Sequence, residues 1–239
     1  MRRPRLSGMS LDGPRIYTPH TERKQERALV SGKEATVDNA RLGRRSGLFA
    51  MVGSLLWVAT HVLYGFTGGG GSRGEAVLRT VLMNPALLFF IVGLMGFHER
   101  QAKRSGRLGR AGFAICLLGT GLMLLGNVTE IWVYRYLHGV LEARWAPGWR
   151  AMGVGLVMLP VGFIVLGIGT LKAEVFTGWR RAVPLGFGLM LALVVSQFML
   201  TYWMDLGDVI STYAPGLMSY GFPLGWAVLG FALWSEKAA

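Results

Sequence analysis

Six long stretches of this chain carry no Asp, Glu, Lys or Arg, and each is dominated by apolar residues. They cover 46–72, 80–98, 111–129, 151–171, 182–204 and 209–235, and the shortest has 19 positions. A hydrocarbon core about 30 Å thick is crossed by roughly 20 helical residues at about 1.5 Å each, so every stretch is long enough to span. Membrane strands would alternate apolar and polar positions over about 10 residues, whereas these runs are continuous. The pattern therefore predicts an all-α membrane protein with spans near 46–66, 80–98, 111–134, 151–172, 182–204 and 214–235. The connections are short, which predicts three antiparallel hairpins in one six-helix bundle. Trp145, Pro147, Gly148 and Trp149 interrupt the longest connection, and the third helix is expected to continue past the lipid until Pro147 stops it.

Composition points the same way. The chain is 52% hydrophobic and 16% charged, more apolar and less charged than soluble domains usually are. The charges that remain set an orientation. Of the 25 Lys and Arg residues, 20 fall in 1–45, 98–110, 172–181 and the last four residues, which are alternate connections. Lys and Arg are retained on the cytosolic side, so both termini are expected inside and the glycine run 68–71 outside. Size and composition suit a bacterial plasma membrane. The formal charge of +12 then reports topology and a partnership with anionic lipid headgroups, and gives little support to nucleic-acid binding. Residues 1–45 mix Arg, Lys, Glu, Ser, Gly and Pro and are expected to form a basic cytosolic tail that is disordered or weakly helical. That polar lead is too long for a cleavable signal peptide.

Two patterns suggest internal order. Residues 160–167, Pro-Val-Gly-Phe-Ile-Val-Leu-Gly, match 223–230, Pro-Leu-Gly-Trp-Ala-Val-Leu-Gly, at five of eight positions. A duplicated hairpin would place those two helices parallel in a pseudo-symmetric bundle; chance agreement in a chain with 35 Gly is the competing explanation. Gly221 and Gly225 have the spacing that lets helices approach closely, and intrachain packing is the expected use.

Ionisable and polar side chains are costly in lipid, so each needs a partner or a wet cavity. Counting rises of 1.5 Å puts His61 roughly 21 Å up the first span, Asn127 and Glu130 roughly 24 and 28 Å up the third, and Gln197 roughly 22 Å up the fifth. Asn84 begins the second span, which enters from the other side. All sit in the outer half, and the inner half reads as nearly apolar. Asn127, Glu130, Tyr134 and His138 share one helix face, as do Gln197, Thr201 and Asp205. These positions predict an outward-opening polar pocket lined by His61, Asn84, Asn127, Glu130, Gln197 and Asp205, with His61 and Glu130 as its ionisable centre. Residues near helix ends that snorkel, or bridge helices by hydrogen bonds, would give the same pattern.

Catalytic and cofactor motifs fare worse. Asp205 and Asp208 have a spacing compatible with a cation but fall where a loop should start. His98 and Glu99 lack the second His of the zinc-protease helix. A bis-His haem needs two histidines at one depth, and His61 and His98 lie at opposite ends. Cys116 is the only cysteine, so no intrachain disulfide forms. No catalytic residue, metal site or cofactor is assigned. Three functions are compatible with the chain: a structural or regulatory membrane subunit that packs on a protein partner or a second copy; a binding or transport protein for a small solute, a proton or a lipid headgroup; and a membrane enzyme acting on lipid with His61 as base. The first is favoured.

Overall fold

The computed structural model describes residues 42–63, 77–102, 104–137, 147–204 and 217–236. Among them are six helices and no strand: α1 (Leu42–Leu63), α2 (Asn84–Gln101), α3 (Gly106–Leu137), α4 (Pro147–Ala173), α5 (Val183–Met204) and α6 (Phe222–Ser235). Five segments are long and apolar enough to cross a membrane: Leu42–Leu63, Thr80–Gln101, Gly106–Ile131, Pro147–Ala173 and Gly178–Gln197. Helices satisfy every mid-segment backbone group internally, which is what lipid demands.

Large apolar side chains face outward along these helices. Leu193 is 72% exposed and Leu55 70%, and Leu224 and Val81 project in the same way. On a water-soluble surface so much apolar exposure would be a liability; against lipid it is the expected outer face. Inside, aromatic rings from five helices form the centre of the core. Phe90 of α2 stacks on Trp226 of α6 at 4.5 Å, Trp57 of α1 meets Phe222 at 4.7 Å, and Phe163 of α4 meets Phe187 of α5 at 4.5 Å.

The helix boundaries differ from the sequence reading at several ends. α1 starts at Leu42, α3 at Gly106 and α4 at Pro147, so helix continues through Arg44, Arg45, Arg107, Arg110 and Arg150. Arg side chains near a helix end can reach water while their stems stay on apolar surface, so a charge does not end a membrane helix. α3 is described to Leu137 and α4 from Pro147; the connection 138–146, on which the expected end of α3 falls, lies outside the described residues, and helix is compatible with proline in its first turn. Prolines also stand in the first turns of α2 and α6, each preceded by a π-helical turn, Arg79–Met83 and Leu217–Gly221. The wider winding is one way for a helix to absorb the N–H that proline lacks.

Between α3 and α4 the packing depends on glycine. Gly112, Gly119 and Gly126 recur every seven residues on α3, and Gly148, Gly155, Gly162 and Gly169 do so on α4. A methyl on Gly126 would lie 2.5 Å from Gly148 O, and one on Gly119 would lie 2.9 Å from Gly155 O; at the other end Gly169 faces Gly109. Backbone touches backbone along the whole antiparallel contact, as small residues permit. α1 meets α2 in the same manner, with Ser46 at Gly96 and Ala50 at Gly93, and meets α6 where Gly47 adjoins Gly230. Gly225 lies under the Phe187 ring of α5 and Gly221 faces Met190, so their spacing serves packing within the chain. In the two similar octapeptides, the equivalent residues Phe163 and Trp226 touch edge to face at 5.3 Å.

Candidate functional site

The helices start and finish at two ends of the bundle. One, the basic end, carries the starts of α1, α3 and α5 and the finishes of α2, α4 and α6; His61, Asn84, Asn127, Glu130 and Gln197 belong to the other. There Asn127 Nδ2 donates to Asn84 Oδ1 at 2.6 Å, joining α3 to α2. Asn127 is fully buried, and its own Oδ1 has no partner among the described residues. Glu130, 7% exposed, lies one turn further along the same face of α3. Its Oε1 accepts the backbone N–H of Trp149 at 3.0 Å.

That last bond has a clear origin. The first N–H groups of a helix have no intrahelical acceptor, and the positive end of the helix dipole favours a carboxylate. α4 carries no acid in its first turn, and α3 supplies one. Gly148 makes the approach possible: a Cβ there would lie 2.7 Å from both Cγ and Oε1 of Glu130.

His61 is half-buried and bonded within its own helix, its Nδ1 3.0 Å from Trp57 O. A carbonyl only accepts, so Nδ1 carries the proton in this contact. The ring also stacks on the Trp57 indole at 5.5 Å. Gln197 is half-buried on α5. Asp205 lies outside the described residues, as do Asp208 and His138. Of the six residues, then, the structure joins Asn84 to Asn127 by a hydrogen bond and places Glu130 beside them on α3, bound to α4.

The basic end carries polar contacts of its own, most of them just beyond the spans as read from the sequence. Gln101 and Thr170 are fully buried, and Thr170 Oγ1 donates to Gln101 Oε1 at 2.7 Å across α4 and α2. Glu236, 7% exposed, follows α6. Its Oε2 pairs with Arg180 at 2.9 Å and its Oε1 accepts from Thr177 Oγ1 at 3.1 Å. Arg100 of α2 donates to the carbonyls of Leu233 (3.1 Å) and Glu236 (3.4 Å), satisfying acceptors that a helix C-terminus leaves open. Sequence reading counted the basic segments that hold Arg100 and Arg180 as markers of orientation and as contacts for anionic headgroups, with no partner inside the protein. Glu236, the one acid following the last apolar stretch, was the available signal that they had a partner.

These bonds hold helices together: an amide pair, a carboxylate on a helix N-terminus and guanidiniums on a helix C-terminus. Among the described residues, no three His, Cys, Asp or Glu side chains gather as metal ligands would. Comparison with known proteins found no matching family model, no matching curated protein and no matching solved structure.

Proposed function

We propose that this chain is a structural or regulatory subunit of a bacterial plasma membrane, a bundle of three antiparallel hairpins with both termini in the cytosol. The observation that carries the reading is the engagement of Glu130 with the Trp149 N–H, which gives a structural use to the acid otherwise best placed to serve a ligand. The bond from Asn127 to Asn84 and the glycine-lined contact of α3 with α4 also favour a scaffold whose inner surfaces are spent on one another. Such a protein acts through its outer faces, on a protein partner or a second copy of itself. The four-to-one Lys and Arg bias supports the orientation.

The test is purification at native expression level in a mild detergent, with intact-complex mass measurement. A second polypeptide or second copy held at fixed stoichiometry supports the proposal; a lone monomer speaks against it. A second reading, binding or transport of a small solute, proton or lipid headgroup through an outer pocket with His61 and Glu130 as its titratable pair, draws support from the buried Asn127 Oδ1, which has no partner among the described residues. It requires His61→Ala to abolish binding or uptake while the fold survives.

A further inference from the structure

Thr170 is in the last turn of α4 and Gln101 is the last residue of α2, yet both are fully buried. Both helices end there, so cover has to come from chain that crosses the end of the bundle. The connection from α4 to α5, residues 174–182, makes that crossing. Its Phe176 is buried and stacks on Phe97 of α2 at 4.9 Å. Phe97 and Gln101 are four residues apart and share a face of α2, so Phe176 docks on the face that carries the bond between Gln101 and Thr170.

This closed arrangement has two costs. Glu174 has a φ of 51° and Gly178 a φ of 58°, on either side of Phe176; the left-handed region is open to glycine and strained for a glutamate. Gln101 Nε2 is buried with no partner among the described residues, and a buried donor without an acceptor is costly. Lifting the connection lets Glu174 relax and lets water reach Gln101. Two fasteners oppose it: the Phe176 ring on Phe97, and Glu236, which accepts from Thr177 and pairs with Arg180. Neither belongs to the glycine contact of α3 with α4 or to the aromatic centre of the core. A strained segment held by few contacts is the kind that opens by itself.

We propose that residues 174–178 form a strap that opens and closes over Gln101 and Thr170 while the bundle stays folded, hiding a polar patch at the basic end in one state and offering it in the other. The strap is independent of whether the chain serves as a subunit or binds a solute.

The full chain carrying Thr170→Cys has two thiols, the introduced one beneath the strap and Cys116, fully buried on α3. Both are alkylated with N-ethylmaleimide in mild detergent, and each rate, read by peptide mass spectrometry, is normalised to that in the denatured chain. Cys116 reports opening of the whole bundle, and the thiol at position 170 should react at least about tenfold faster, because local opening is easier than global opening. Glu236→Gln should raise the rate at position 170 about fivefold or more and Phe176→Ala at least about tenfold, with Cys116 unchanged. Glu236→Gln leaves the core intact, so it decides the matter even where Phe176→Ala unfolds the bundle. Equal rates at the two thiols without a second substitution, equal acceleration of both in Glu236→Gln, or no acceleration at position 170 in Glu236→Gln each overturns the proposal.

Discussion

Glu130 of α3 caps α4: its carboxylate accepts the Trp149 backbone N–H at 3.0 Å. Caps normally come from residues next to the helix they close; this one comes from 19 residues earlier in sequence, across a helix contact. Removing it should cost about 1–2 kcal/mol. Glu130→Ala should therefore lower the thermal unfolding midpoint in detergent, while Glu130→Gln, whose amide oxygen still accepts, should lose less. Unchanged midpoints in both variants would show that the cap contributes nothing.

Glycine-to-alanine substitutions should separate the α3 and α4 contact from the rest of the surface. At Gly126 and Gly119 the new methyl meets a facing carbonyl oxygen, and overpacking of this kind costs about 1–3 kcal/mol. At Gly121 and Gly153 nothing lies within 4 Å. Alanine there should be neutral or stabilising by up to about 1 kcal/mol, because it favours helix. Comparison of the four midpoints checks the prediction, and equal losses at all four would contradict it.

The Asn84 and Asn127 bond predicts a measurable coupling. Interhelical hydrogen bonds in membranes are worth about 0.6 kcal/mol on average and about 1.7 at most. A double-mutant cycle with Asn84→Ala and Asn127→Ala should return a value in that range. Strict additivity would mean the bond is not made.

Arg180 and Glu236 should tie the connection between α4 and α5 to the end of α6. Arg180 is one-quarter exposed at its side chain and Glu236 nearly buried, so the loss on breaking the pair falls between that of exposed and buried ion pairs, about 1–3 kcal/mol. Glu236→Gln should increase proteolysis near residues 174–182. The exchanged pair, Arg180→Glu with Glu236→Arg, should recover part of the loss. Identical cleavage in wild type and Glu236→Gln would count against this role.

Five of the six expected spans return as helices long and apolar enough to cross a membrane, and they were legible because lipid excludes charge over a distance that the gaps between charged clusters match. Their ends were less so. Arg44 and Arg110 are within helices, since a long side chain can leave the lipid while its backbone stays helical. Pro147 carries the same residue-level signal whether it ends one helix or begins the next. The seven-residue glycine repeats at 112, 119 and 126 and at 148, 155, 162 and 169 were readable but need two helices considered together; a search for one short motif passes over them. Asn84 and Asn127 could be placed at one depth by counting rises. The partner of Glu130 could not be named, because it is a backbone N–H, and every residue has one. Glu236, Arg100 and Arg180 are far apart in sequence and meet only through the packing of α2 and α6.

The account rests on helices that cross a bilayer and keep their cations on one side. Cys116 is the only cysteine and is fully buried, so single cysteines can be introduced into a Cys116→Ala background. Intact cells carrying Gly70→Cys or Arg104→Cys are treated with a membrane-impermeant maleimide. Gly70→Cys should react in intact cells and Arg104→Cys only after permeabilisation. Labelling of both positions under the same condition would contradict the arrangement.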